Sequence, residues 1–167
     1  MKDNEHLPWE ETSESSAIIQ QDSEQENVAC RGDLQSPASP SRKQARDMAF
    51  KLVYQFTVKG DVSDVTPIEE DSKTVQNAFC QTLYGAVVDN LSAIDDRIKS
   101  LIKDFDFERL FKIDLAILRL GVGELLFIKG DKTPSAVVIG AMVDLAKKYS
   151  TEKSMAFING VLAGVSV

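Results

Sequence analysis

Residues 41–56 read SRKQARDMAFKLVYQF, a short basic segment that continues into an amphipathic helix. Its apolar side chains recur at the i, i+3, i+4 and i+7 spacing of a helix that packs one face against a core. They are Ala45, Met48, Ala49, Leu52, Val53 and Phe56. Ser41 and Gln44 have the spacing of a capping box, so the helix is predicted to begin at this point.

Basic residues dominate the start of this helix. Arg42, Lys43 and Arg46 fall in its first turns, where the helix dipole favours anions and makes cations mildly unfavourable. A helix start that combines unpaired backbone N–H groups with excess positive charge is well suited to binding phosphate. We interpret it as a candidate phosphate-binding surface, and the alternative is a solvated basic turn.

The rest of the chain keeps the helical period, and no segment shows convincing strand alternation. Residues 113–127 are apolar on nearly all sides, which predicts a central buried helix. Gly121 and Gly123 within it predict the close approach of a neighbouring helix. The predicted fold class is all-α, a compact bundle of about six or seven helices. Besides the first helix and 113–127, helices are predicted over residues 73–90, 91–102, 133–148 and 154–165, with a short piece over 107–111. Thr133-Pro134 and Ser154 are predicted to start the last two of these helices.

The net charge of -7 over 167 residues is unevenly distributed along the chain. Residues 1–40 contain nine acidic and two basic residues, whereas residues 41–167 contain seventeen of each sign. The first segment is also rich in Ser, Gln and Pro and has few apolar residues, so it is predicted to be a disordered acidic tail and linker. Residues 41–167 are predicted to form one helical domain.

The residue types that most enzymes and metal sites require are scarce. His6 is the sole histidine and lies in the acidic tail, which argues against histidine-activated nucleophiles and most zinc sites. Gly121-Val122-Gly123 lacks the further glycine and lysine of a phosphate loop. Cys30 and Cys80 form neither a disulfide framework nor a metal-ligand pattern. We expect a protein that is not an enzyme and that has no cofactor or metal.

No apolar run approaches the roughly 20 residues that span a membrane, and the first residues lack the pattern of a secretory signal. We therefore expect a cytoplasmic protein in a reducing compartment.

Three stretches, in this order and spacing, resemble the NusB family of transcription antitermination factors. They are RKQARDMAFKLVYQF at 42–56, IDLAILRLGVGELLF at 113–127 and VDLAKKYSTEKSMAFINGVL at 143–162. They are similar to the family's arginine-rich first helix, its central AILRLALYEL helix and its closing ELAKKFG…FVNGVL segment. The resemblance covers Ser41 to about Val165 and none of the acidic tail.

The resemblance implies a two-part helical bundle that binds the boxA element of ribosomal RNA transcripts together with NusE, a small-subunit ribosomal protein. It also implies a place in the transcription elongation complex, and a homodimer is a further option. Asp114 matches an acidic position on the side that faces NusE. The RNA-binding positions implied are Arg42, Lys43, Gln44, Arg46, Tyr54, Lys147, Lys148, Lys153, Phe157 and Asn159.

Phosphate contacts by lysine and arginine, with bases stacked on aromatic rings, are how proteins hold single-stranded RNA. Other interpretations remain open for several positions. Tyr54 and Phe157 can be core residues, Lys147 and Lys148 suit a helix C-terminus, Asn159 can bind a neighbouring backbone group, and Asp114 can serve as a first-turn charge.

The chain departs from the family pattern where polar or basic groups are usual, so we expect weakened or altered RNA affinity. Two alternatives follow: a helical adaptor that binds protein but little RNA, and the RNA-binding module of a ribosomal RNA methyltransferase. The departures are Gln44 in the basic segment, Gly123 for the tyrosine of the YEL signature, Gly140-Ala141 for Asn-Glu, Lys153 where an acid is common, and Ala163-Gly164 for Asp-Lys.

Overall fold

The computed structural model describes residues 41–65, 77–103, 105–128 and 133–165. The predictions for residues 1–40 and for the start of the second helix at 73–76 lie outside these ranges. Within them the chain is helical and forms no strand, which confirms the all-α fold class. The six α-helices of these ranges are α1 (Arg42–Lys59), α2 (Ala78–Asp89), α3 (Leu91–Leu101), α4 (Lys112–Phe127), α5 (Ser135–Tyr149) and α6 (Glu152–Val165), with two short 3-10 helices at Val62–Asp64 and Phe107–Arg109.

Helix α1 begins where the capping box predicts. The Ser41 hydroxyl accepts a hydrogen bond from the Gln44 backbone N–H at 3.3 Å, and the Gln44 side-chain oxygen accepts one from the Ser41 N–H at 2.8 Å. Each of two N–H groups at the helix start thereby gains a partner. Gly60 ends α1 with a φ of 86°, a left-handed conformation that glycine adopts without strain.

The starts of α5 and α6 differ from the predictions. Helix α5 begins after Pro134, which occupies the N-cap position and has no side chain that can cap it. The Thr133 hydroxyl accepts a hydrogen bond from Arg42. Helix α6 is capped by Thr151, whose hydroxyl accepts from the Ser154 N–H at 3.3 Å. Ser154 itself lies inside α6, where its own hydroxyl binds Asp114.

Helix α4 is the centre of the bundle, as its sequence predicts. It packs against each of the other five helices, and ten of its residues are buried. Gly121 and Gly123 allow helices α6 and α2 to pack closely against α4. A Cβ atom at Gly121 would lie 2.9 Å from both Leu162 methyl carbons, and one at Gly123 would lie 2.7 Å from the Val87 Cγ2.

We expect Gly123→Ala to lower the free energy of unfolding by about 1–3 kcal/mol, the usual cost of overpacking. Val87 is a β-branched residue inside α2 and has one strongly preferred rotamer, so it cannot turn away from the new methyl group. Gly160→Ala is the matched control, because no atom lies within 4 Å of its added Cβ. It should raise stability by about 0.5–1 kcal/mol through helix propensity. Urea titration measures both, and equal stability of the two variants would contradict the close-packing account.

No helix in the described part of the chain is long and apolar enough to cross a membrane.

Candidate nucleic-acid interface

The first turn of α1 presents exposed cations beside its backbone N–H groups. Arg42 and Lys43 are exposed, and no acidic residue lies in this turn. Gln44 is exposed too, but its side-chain oxygen is used in the capping box. The predicted combination of positive charge and a helix start is therefore present at Arg42 and Lys43.

Arg42 connects three parts of the fold. Its Nη1 donates a hydrogen bond to the Thr133 hydroxyl at 3.1 Å, and its guanidinium carbon lies 5.1 Å from the centre of the Phe79 ring. A cation over an aromatic face at this distance is attracted by the ring's quadrupole. Arg42 is thus an exposed guanidinium whose orientation is set by α2 and by the segment before α5.

Arg46 is not part of the exposed surface, which corrects the sequence-based expectation. The residue is 5% exposed, and its Nε and Nη2 donate to the two carboxylate oxygens of Glu124 at 2.8 and 2.6 Å. This paired geometry is the strongest form of an arginine–carboxylate contact. Arg46 therefore joins α1 to α4 inside the bundle, where Glu124 compensates its charge.

An open groove of about 970 Å³ lies between the start of α1 and helix α5. Three lysines line it: Lys43 from α1, and Lys147 and Lys148 from the last turn of α5. The lysines come from positions more than one hundred residues apart, so only the fold brings them together. The other lining residues are Ser41, Gln44, Arg46, Asp47, Met48, Val137, Gly140, Ala141, Asp144 and Leu145.

Two carboxylates of this groove contact two of its lysines. Asp144 lies 3.5 Å from the Lys43 amine, and both side chains are well exposed. Asp47 accepts a hydrogen bond from Lys148 at 2.7 Å and from the Tyr149 hydroxyl at 2.9 Å. Lys147 is exposed and forms no ion pair with any residue that the structure describes.

The contacts of Asp47 also set its protonation. Burial by itself would raise the pKa of Asp47, but the hydrogen bonds from Lys148 and Tyr149 and the charges of Lys148 and Lys51 hold it below its ordinary value. The same contact, led by the hydrogen bond to Asp47, raises the pKa of Lys148. Both groups are therefore charged at neutral pH.

The lowered pKa of Asp47 predicts a pH dependence of stability. A carboxylate whose pKa is lower in the folded chain stabilises the fold above its unfolded pKa, and this contribution is lost as the pH falls through the folded value. Asp47→Asn should therefore destabilise the protein at neutral pH. As the pH falls below 3.8, the ordinary pKa of this group, the variant should lose less additional stability than the wild type does. Urea midpoints measured across this range test it, with Asp96→Asn on the exposed face of α3 as the control. Parallel curves for wild type and Asp47→Asn would contradict the assignment.

Tyr54 lies at the end of a row of aromatic rings that leads away from the groove. Its ring stacks on Phe50 with 6.0 Å between the centres, and Phe50 lies 4.8 Å from Tyr149. Phe50 is buried, whereas Tyr54 and Tyr149 are partly exposed. Tyr54 is thus held in place by packing while part of its surface remains accessible.

The predicted positions on α6 form a separate group. Lys153 and Asn159 are exposed, and Phe157 is partly buried. The Phe157 ring meets the edge of Phe105 at 5.2 Å, so this ring packs near the segment after α3. None of these three residues lines the groove between α1 and α5.

Asp114 is buried in the described structure, and a contact of this residue with a partner stays a prediction. It is 4% exposed, and its two oxygens accept hydrogen bonds from the hydroxyls of Ser150 at 2.6 Å and Ser154 at 2.8 Å. A carboxylate in the first turn of α4 is also favoured by the helix dipole. Asp114 therefore stabilises the junction of α4, α5 and α6.

A model of the NusB family matches residues 43–166. The chain belongs to the NusB family. The transcription antitermination protein NusB of Sulfurimonas denitrificans is 40% identical to it over 130 residues, which cover 75% of this chain and 96% of that protein. The NusB protein of Finegoldia magna is 38% identical over 131 residues, covering 75% and 93%.

Solved structures of NusB proteins share the fold. Thermotoga maritima NusB superposes with a TM-score of 0.65 at 29% identity, covering 77% of this chain and 92% of that one. A crystal structure of antitermination factors NusB and NusE in complex with double-stranded RNA contains a chain that superposes with a TM-score of 0.60 at 33% identity, covering 75% and 95%.

The departures of this NusB-family chain have visible structural consequences. Gly123 leaves room for Val87 in the core, where a tyrosine side chain would collide with it. Gly140 and Ala141 line the groove, where neither supplies a charged side chain. The backbone oxygen of Gly164 accepts a hydrogen bond from Arg97 at 3.1 Å, and Ala163 is exposed.

Sequence reasoning did not identify Glu124 as the partner of Arg46, or Phe79 and Thr133 as contacts of Arg42. A signal for the buried pair was present, because Arg46 is spaced three and seven residues before Ala49 and Val53 and so borders the apolar face of α1. Glu124 is likewise a charge within the apolar helix α4. A charged residue on each of two core-facing helices indicates a buried ion pair. No local pattern marks Phe79 or Thr133.

Proposed function

We propose that this chain is a transcription antitermination factor that binds single-stranded RNA of the boxA type, jointly with a NusE-like ribosomal protein. The role is one of binding, and the proposal assigns no catalytic residue. It places the protein in the cytoplasm, as a component of a transcription elongation complex.

The observation that carries the proposal is the convergence of Lys43, Lys147 and Lys148 on one groove beside the exposed start of α1. A group of cations beside the positive end of a helix dipole suits the phosphates of an RNA strand. Arg42, oriented by Phe79 and Thr133, adds a guanidinium plane, and Tyr54 adds an accessible ring. A base stacked on such a platform contributes about 1–3 kcal/mol.

The alternative of a protein-binding adaptor is favoured by one feature of the groove. Two of its three lysines already contact carboxylates, so its positive charge is partly neutralised in the free protein. The adaptor hypothesis predicts binding to the NusE-like protein with no measurable affinity for RNA.

The experiment that separates the two is a titration of the full chain with a boxA-type single-stranded RNA, with and without the NusE-like protein. A scrambled single strand and a double-stranded RNA of equal length are the controls. We expect binding of the boxA-type strand that the NusE-like protein strengthens. Partner binding without affinity for any of the RNAs would support the adaptor instead.

A further inference from the structure

The two carboxylates of the groove differ in how firmly they are held. Asp47 has one-fifth of its side chain exposed and is contacted by Lys148, Tyr149 and Lys51. Asp144 has 61% of its side chain exposed, and its one ion pair among the described residues is the 3.5 Å contact with Lys43. Asp47 is therefore fixed in place, whereas Asp144 is free to move away from its partner.

The contact between Lys43 and Asp144 joins two mobile, solvated groups. Lys43 has 83% of its side chain exposed, and ion pairs of this kind contribute little to stability. A phosphate that approaches Lys43 carries at least the charge of Asp144 and can replace it. The groove therefore contains a carboxylate that competes with RNA for a cation without being needed for the fold.

We propose that Asp144 is an internal, displaceable counter-ion of Lys43 that sets both the RNA affinity of the groove and its dependence on salt. This inference rests on the proposed function and deepens it. A lysine that neutralises a phosphate releases a cation condensed on the RNA, and that release makes affinity fall with salt. At Lys43 the displaced Asp144 carboxylate stays beside the strand and keeps its negative charge, so the net charge that this lysine brings to the RNA is small and it adds little to the salt dependence.

The test compares Asp144→Asn with wild type in titrations of the full chain with the boxA-type single strand at several salt concentrations. Removing one negative charge at this distance should tighten binding about two- to five-fold at low salt. Lys43 would then neutralise a phosphate with no carboxylate left beside it, so the slope of log affinity against log salt should steepen by up to about 0.7, the value for one full contact on single-stranded RNA.

Asp96→Asn is the matched control. It removes the same charge from an exposed position on α3 that does not line the groove. We expect this variant to keep the wild-type slope. In a Lys43→Ala background Asp144→Asn should change the slope much less, because no lysine is left there to bind a phosphate beside Asp144.

The outcomes separate this inference from the proposed function. Wild type that binds RNA, with Asp144→Asn showing the same affinity and slope, overturns the counter-ion role and leaves the proposed function standing. An equal effect of Asp96→Asn also overturns it, since the effect would then come from net charge. If neither wild type nor Asp144→Asn binds RNA, with or without the NusE-like protein, the proposed function fails and this inference fails with it.

Discussion

Replacing Arg46 by alanine is expected to lower the free energy of unfolding by about 3–5 kcal/mol. The change leaves the Glu124 carboxylate inside the bundle without the two hydrogen bonds that it accepts from the guanidinium. An unpaired charge at a position with 2% of its side chain exposed is far more costly than the loss of a surface contact. Urea titration at neutral pH measures the effect.

Two further variants show whether the cost comes from the buried pair. Arg46→Met combined with Glu124→Met removes both charges, and apolar replacement of a buried pair is often close to neutral. The double variant should recover most of the lost stability. Lys43→Ala, one helical turn earlier on the exposed surface, should change stability by less than about 0.5 kcal/mol. An Arg46→Ala variant as stable as wild type would contradict the structural role assigned to this residue.

The triple variant Lys43→Ala/Lys147→Ala/Lys148→Ala is expected to weaken binding of the boxA-type strand roughly 10- to 100-fold at low salt. These three lysines are exposed and line the same groove. The salt slope should become shallower by at least about 0.7, the contribution of one lysine that neutralises a phosphate with no carboxylate of the protein beside it. Lys147 is that lysine, since it pairs with no carboxylate that the structure describes.

A second triple variant controls for the loss of net charge. Lys59→Ala/Lys103→Ala/Lys112→Ala removes the same charge from exposed positions that do not line the groove. It should retain most of the affinity, with a loss well below that of the groove variant. Equal losses for the two triple variants would show that RNA responds to overall charge and not to this groove.

The parts of the fold that were predictable from sequence are those that depend on neighbouring residues. The capping box of Ser41 and Gln44 is a contact over three positions, and it set the start of α1 correctly. The apolar character of residues 113–127 predicted that α4 lies in the centre of the bundle, and Gly121 and Gly123 predicted its close contacts with neighbouring helices.

The errors arose where a residue finds its partner far along the chain. Arg46 looked like one more cation of a basic segment, yet its partner Glu124 lies 78 positions away. Serine is a common helix-capping residue, but the Ser154 hydroxyl donates a hydrogen bond to Asp114, 40 positions earlier. Both contacts are made by the tertiary fold. Helical periodicity indicates that Arg46 borders the apolar face of α1, but neither periodicity nor a capping pattern identifies the distant partner.

The groove was only partly predictable for the same reason. Lys43, Lys147 and Lys148 were identified one by one from the resemblance to the family, and their convergence follows from the packing of α1 beside α5. The carboxylates that pair with them were not identified, because Asp47 and Asp144 look like ordinary solvated charges in the sequence.

We expect RNA to bind at Arg42 and at the lysines of the groove between α1 and α5, while Arg46 holds α1 to α4 through Glu124. The most direct test is a titration of the isotope-labelled chain with the boxA-type strand, followed residue by residue by NMR. We expect the largest shifts at the amides and side chains of Arg42, Lys43, Lys147 and Lys148, with Lys103 and Lys112 unchanged. Shifts concentrated elsewhere, with these four residues unaffected, would contradict the account.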